Sequence, residues 1–285
     1  MRKKILLGLL AAVVLGVVVT LLIRAQPSVD IVAGSSYITN IIEDVSDGKL
    51  ETRTFAAPAM CPSQSDVKPS DIKALAGSKA LLIHNYQQSF QNIARLIEAA
   101  DNPGLIVWVA DIAGNWMTPP VQAQAVDTIA QALGEIDPEN AAHYAERAAE
   151  RVQVILAKGD EVKSRLLQAG VDGVKVICAD MQAGFVMWTG FDVVATYGRP
   201  EDLSPQEMAQ SVDTAREAGV ALVIDNLQSG ATENSETLAS DIEAIQVTIS
   251  NFPGGFADTE SWEKALDKNV DLLLEALAEW SEQYG

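Results

Sequence analysis

The chain has 285 residues, 48% of them hydrophobic and 21% charged, which is enough apolar material for one large or two medium folded domains. Its 20 Lys and Arg stand against 39 Asp and Glu, a net charge of −19, so nucleic acid and anionic membrane surfaces are excluded as partners because phosphate contacts need a basic face. With 2 His and 2 Cys in all, a His-rich metal cage, a zinc ribbon and a disulfide-rich scaffold are excluded as well.

Arg2, Lys3 and Lys4 precede an apolar run from Ile5 to Ile23, closed by Arg24. Its 19 residues match a ~30 Å hydrocarbon core at ~1.5 Å per residue, and exceed the usual signal-peptide core of about 7–15 residues. Residues 1–25 are expected to be a membrane anchor, with cleavage after Ala25 as the alternative. Either way the basic residues stay on the cytoplasmic side and the rest of the chain is exported, as a membrane-tethered or a secreted, periplasmic domain. Setting aside Arg2, Lys3, Lys4 and Arg24 takes the net charge from −19 to −23 on the exported part.

Beyond the segment, short apolar β-branched runs recur at Val29–Gly34, Glu51–Phe55, Ala80–His84, Leu105–Val109, Val174–Cys178, Val193–Thr196, Val220–Asp225 and Ile245–Ile249. Runs apolar almost throughout suit strands covered on both faces of a parallel sheet. Helical patterns lie between them at Ser36–Val45, Ser89–Ala100, Val121–Leu133 and Pro205–Ala218. The class is α/β with mainly parallel sheets. The rhythm breaks between Asp137 and Ala169, where Tyr144, Ala148, Val152, Ile155, Val162 and Leu166 form a stripe at helical spacing. Asp137 is expected as its N-cap and Pro138 as its first residue. Such a helix is too long for one α/β layer, so the expected layout is a lobe at 28–134, a linking helix at 137–169 and a second lobe at 172–285. Glu146–Glu150 with Arg147 and Arg151 reads as i,i+4 charge pairing on a solvated helix face.

Several short motifs follow one another in this frame. They are Pro62-Ser63-Gln64-Ser65-Asp66-Val67-Lys68-Pro69-Ser70-Asp71-Ile72, Trp116-Met117-Thr118-Pro119, Ile136-Asp137-Pro138-Glu139-Asn140-Ala141, Gly190-Phe191-Asp192-Val193-Val194-Ala195, Asp202-Leu203-Ser204-Pro205-Gln206-Glu207 and Asn251-Phe252-Pro253-Gly254-Gly255. In this order they resemble the cluster A-I, TroA-like solute-binding proteins of ABC transporters, which bind zinc or manganese. The resemblance implies two α/β lobes joined by one long helix, a ligand held between them, and ABC permease and ATPase subunits as partners.

It also implies ligand positions, and here the chain departs from the pattern. The three family histidines fall on Ser63 (or Gln64), Gly114 and Ala179, and the last aspartate on Asn251; only the carboxylate at Asp225 is kept. Neutral imidazole is the usual nitrogen ligand of zinc, so a His-type site is not supported. Cys61 and Cys178 lie within two residues of family ligand positions, with Met60, Met117 and Met181 in the same loops. Thiolate and thioether donors favour a soft transition-metal ion such as Cu(I), which makes Cys61, Cys178 and Asp225 the candidate metal ligands. Burial of both cysteines as core residues, or a disulfide between them, are the competing readings.

Trp116, Trp188 and the His84-Asn85-Tyr86 turn offer aromatic walls instead, suited to a flat or cationic organic solute. Gln64, Asp66, His84, Trp116, Asp180 and Asn251 are the candidate ligand-binding residues under either reading. His143 reads as a surface residue. No nucleophile elbow, P-loop or H-E-x-x-H occurs, so an enzyme is not expected. The expected function is capture of a metal ion or metal-containing ligand for an ABC importer. Binding of an organic solute, or a surface interaction protein without a ligand, are the alternatives.

Overall fold

The computed structural model describes residues 29–198, 205–230 and 233–284. The expected anchor at 1–25 and the Asp202–Ser204 part of one motif lie outside the described residues. Among the described residues no helix is long and apolar enough to cross a membrane.

Two four-stranded parallel sheets form, one per lobe. β1 (Ile31–Ala33), β2 (Thr52–Thr54), β3 (Ala80–His84) and β4 (Ile106–Ala110) are arranged β2-β1-β3-β4. β5 (Lys175–Ala179), β6 (Asp192–Tyr197), β7 (Leu222–Asn226) and β8 (Ile245–Ile249) repeat that order as β6-β5-β7-β8. All eight strand runs read from the sequence are present, within two or three residues at their ends. Every residue of β1, β3 and β7 is buried, which is why Ile31–Ala33, Ala80–Ile83 and Leu222–Ile224 are apolar without alternation, with polar residues only at the carboxyl ends of β3 and β7.

The helices sandwich each sheet. In the first lobe, α2 (Pro69–Gly77) and α3 (Gln91–Ala100) bury Leu75, Ile93 and Leu96 against Leu81 and Ile83. α1 (Ser36–Ser46) and α4 (Pro119–Ile136) cover the other face, where Ala80 and Leu82 point. In the second lobe, α7 (Pro205–Ala218) and α8 (Glu233–Asp241) pack over Ile177 and Val223, while α6 (Ala183–Thr189) and α9 (Trp262–Tyr284) lie over Val176 and Leu222. The Pro-Ser-Asp motif starts α2 with Pro69. Asp71 accepts the Lys68 amide at 3.0 Å and the Arg53 guanidinium at 2.8 Å.

The linking helix is α5 (Ala141–Gln168), 28 residues and so roughly 42 Å long. Tyr144, Ala148, Ile155, Val162 and Leu166 are buried along its stripe, and the core they join runs from one lobe into the other. Asp137 and Pro138 hold the expected cap and first positions, but of a short turn that precedes the α-helix. Pro138–Asn140 form a 3-10 turn and Asn140 occupies the cap position. The Asp137 carboxylate instead accepts the Tyr144 hydroxyl at 2.6 Å and the Asn140 amide at 2.8 Å, because a buried tyrosine needs a partner for its hydroxyl. His143 is half-buried, and its Nε2 is enclosed without a partner among the described residues.

Arg151 is not on a solvated face. It pairs with Asp44 of α1 at 2.7 Å and with Glu263 of α9. Lys158 pairs with Asp267 at 2.9 Å, and Arg165 with Asp267 at 3.1 Å and with Asp271. Cations seven residues apart on α5 thus face acids four apart on α9, a charged seam between two helices running the same way. Gly159 stands on the other side of α5. A Cβ there would lie 2.8 Å from Pro119 of α4, so the glycine sets how closely α4 and α5 cross. Gly159→Ala gains about 1 kcal/mol of helix propensity but meets this contact, and a net loss of about 1–2 kcal/mol is expected from urea unfolding. A stabilised variant would show that the crossing can open at no penalty.

Candidate ligand-binding site between the lobes

In sheets of this order the chain reverses direction across the sheet between β1 and β3, and again between β5 and β7. Ligands of open α/β sheets bind beyond the strand carboxyl ends at these points. In the first lobe the point is formed by Gly34-Ser35-Ser36 and His84. Ser35 Oγ lies 2.7 Å from His84 Nε2. Fully buried Gln87 ties the two loops together, donating to Gly34 O at 2.9 Å and accepting the His84 amide at 3.0 Å. A Cβ on Gly34 would sit 2.3 Å from Gln87 Oε1, so only glycine fits. In the second lobe Gln182, also fully buried, donates to Asn226 Oδ1 at 3.1 Å.

His84 is enclosed by rings. Trp116 meets it edge-on at 4.2 Å and Tyr86 stacks at 5.0 Å. Tyr37 lies 5.9 Å from Trp116 and 5.6 Å from Phe252, which comes from the second lobe. His84 is 2% exposed, and burial lowers its pKa to about 3, so it is a neutral imidazole at physiological pH.

Among the described residues the lobes meet through three hydrogen-bonded latches. Asn115 donates to Met181 O at 3.0 Å and to Asn251 Oδ1 at 3.2 Å. Gln228 donates to Pro58 O at 2.7 Å while accepting the Asn251 amide at 2.9 Å. Trp262 Nε1 donates to Trp116 O at 3.1 Å. None of Asn115, Gln228, Trp262 or Tyr37 was singled out as a binding residue from the sequence. The available signal was position alone, since Asn115 is beside Gly114 and Gln228 closes the strand that carries Asp225.

The residues read as ligands separate into groups. His84, Trp116 and Asn251 come together at the lobe interface. Gln64, Asp66 and Asp180 are exposed on the loops around it. The soft-metal set does not assemble: among the described residues no group of three or more His, Cys, Asp and Glu is placed to hold a metal ion. Cys61 and Cys178 are both free thiols, which removes the disulfide reading. Cys61 is half-buried at the start of the Pro62–Gln64 turn, 3.1 Å from Ser63 Oγ. Cys178 is wholly buried in β5, and burial together with the Asp180 charge pushes its thiol up to about 12, far from a metal-binding thiolate. Asp225 is occupied by Tyr197 Oη at 2.7 Å, Gln246 Nε2 at 3.0 Å and Ser235 Oγ. Trp188 packs on Phe185 and under Lys163 of α5, not among the rings around His84.

Residues 31–276 match the family model described as ZnuA, zinc-uptake complex component A, periplasmic. Compared by sequence with curated proteins, the chain matches none. Among solved structures it is similar to ZnuA, at 20% identity and a TM-score of 0.68 over 88% of this chain and 99% of that one. The periplasmic zinc-binding protein TroA of Treponema pallidum gives 13% identity and a TM-score of 0.71 over 87% and 98%. The laminin-binding protein Lmb of Streptococcus agalactiae, a bifunctional protein with adhesin and metal-transporting activity, gives 14% and 0.69 over 87% and 99%.

Proposed function

The chain belongs to the ZnuA family of periplasmic zinc-uptake components, and from that membership we propose that it is the extracytoplasmic solute-binding subunit of an ABC importer. It takes a metal-containing cargo between its lobes and hands it to a membrane permease served by an ATPase. The N-terminal segment directs it to the exported side of the membrane, as an anchor or as a signal removed to leave a periplasmic domain. The family match across both lobes carries this reading, and the cargo would sit where the loops beyond the strand ends of the two lobes meet, at Asn115 and Asn251.

Bare zinc in an imidazole site does not fit the residues present. Ser63, Gly114, Ala179 and Asn251 stand at the four altered family positions, and all four offer neutral oxygen or nothing in place of a strong donor. Asn115, Asn251, Ser35 and His84 instead offer neutral hydrogen-bonding groups among aromatic rings, which suits a metal that arrives already complexed.

Elemental analysis of the chain purified from its native membrane fraction, paired with thermal shift, tests the proposal. A transition metal retained in near-stoichiometric amount is expected, with stabilisation of about 2.7 kcal/mol when the cargo is 100-fold above its Kd. Metal-free protein that no metal salt or metal complex stabilises would end the metal-uptake reading. The latches give a second check. Asn115→Ala removes donors to both Met181 O and Asn251 and is expected to weaken cargo binding about 10-fold in titration calorimetry. Unchanged affinity would place the cargo away from this loop.

A further inference from the structure

The N-terminus of α1 ends at the first lobe's switch point without a cap. Ser35 holds the N-cap position, but its hydroxyl is taken by His84 and makes no capping bond. The Thr39 amide bonds Ser35 O at 3.1 Å, while the amides of Ser36, Tyr37 and Ile38 meet no acceptor among the described residues. The Ser36 and Tyr37 hydroxyls are likewise enclosed without a partner among the described residues, in side chains 8% and 3% exposed. Buried donors are normally satisfied, and leaving one unmade costs about 1–3 kcal/mol. Three amides and two hydroxyls unspent in one short stretch form a concentration of positive dipole.

We propose that the buried N-terminus of α1 is an oxyanion-binding site, with the Ser36 and Tyr37 hydroxyls and the first-turn amides as its donors. This rests on the metal-uptake reading for one step only, which makes the oxyanion a metal-containing one, an oxometalate. The two findings that fit poorly with a bare cation then agree. Imidazole ligands are absent because the cargo brings its own oxygens, and neutral donors suffice because the helix end supplies the field. Ser35 is diverted to His84, so its hydroxyl does not compete for the first-turn amides. The rings of Tyr37, His84 and Trp116 keep water from competing for the donors.

The test is titration calorimetry of the purified chain with sodium molybdate, sodium sulfate, inorganic phosphate and zinc chloride, alongside Ser36→Ala and Tyr37→Phe. Molybdate is expected to bind, and each variant to lose roughly 10- to 100-fold in affinity, the worth of one hydrogen bond to a charged group. Neither variant should lower the melting temperature of the free chain, because neither hydroxyl has a partner to lose. Association should also quicken as salt is added, since a chain of net charge −19 repels an anion and salt screens that repulsion. Zinc association would slow instead.

Binding of sulfate or phosphate in place of molybdate, with the same loss in both variants, keeps the site and overturns the metal cargo. Zinc binding alone, indifferent to both variants, overturns the site and leaves metal uptake standing. Silence with all four overturns both.

Discussion

Acidification from pH 6.5 to pH 3 is expected to remove several kcal/mol of stability through His84 alone. The unfolded chain takes up a proton on this residue near 6.5, whereas the folded chain does so only near 3, because the ring is sealed from water. Between these values the unfolded state binds more protons, so stability falls as pH falls. Above 6.5 the residue is neutral in both states and contributes no slope; below 3 it is charged in both. At about 1.4 kcal/mol per unit the full window amounts to roughly 5 kcal/mol. Carboxylates also titrate in this range, so the comparison is with His84→Phe, which keeps a ring among Tyr86, Trp116 and Tyr37 and cannot be protonated. Urea midpoints from pH 7 to pH 3.5 should fall more gently in the variant. Parallel profiles would show that His84 takes up its proton in the folded state, and hence that water reaches it.

Replacing Arg151 should be strongly destabilising, although it lies outside both sheets. Its side chain is 14% exposed and lies between Asp44 of α1 and Glu263 of α9, so one guanidinium serves both lobes. Burial pushes the Glu263 carboxyl up, yet the hydrogen bond and charge of Arg151 outweigh that and hold it below its ordinary value. Burial dominates at Asp44, whose carboxyl stays above its ordinary value despite the same arginine. Arg151→Met fills the space but leaves two half-buried acids facing each other. Removing one partner from a buried pair costs about 3–5 kcal/mol, and partial exposure of both acids places the expected loss near the low end of that range. Urea unfolding measures it, and Asp44→Asn in the Arg151→Met background should recover part of it by removing the repulsion. A loss under about 1 kcal/mol would mean that water screens the pair as it does an ordinary surface bridge.

The sheets were legible because a strand buried on both faces is apolar along most of its length, as β3 is from Ala80 to Ile83 and β7 from Leu222 to Ile224. The linking helix was legible from the spacing of Tyr144, Ala148, Ile155, Val162 and Leu166. Its first turn was not, since Asp137 carries a good capping side chain and only the fold reveals that Tyr144 claims it. Arg151 was misread for a related reason. Local spacing offered Arg147 and Arg151 to the glutamates nearby, and Arg147 does pair with Glu150 at 2.7 Å, but Arg151 reaches residues over a hundred positions away. The candidate site was legible in place more than in chemistry. His84, Trp116 and Asn251 sit at strand ends or in motif loops, so topology alone gathers them. Gln87, Gln182, Asn115 and Gln228 are ordinary amides in sequence, and they matter only because buried backbone groups of distant loops need partners. The proposed cysteine ligands failed on geometry that spacing cannot encode, since Cys178 points into a core.

The seam between α5 and α9 also bears on how the protein is made. Glu263, Asp267, Asp271 and Trp262 all belong to α9, whereas their partners Arg151, Lys158, Arg165 and Trp116 O emerge from the ribosome well before it. Domains tend to form in the order of synthesis. The first lobe and linking helix can therefore assemble while the cations of α5 still face solvent, with the lobes free to swing. The angle between them is fixed only once α9 has emerged, so the cleft takes its shape after the sheets of both lobes have been made.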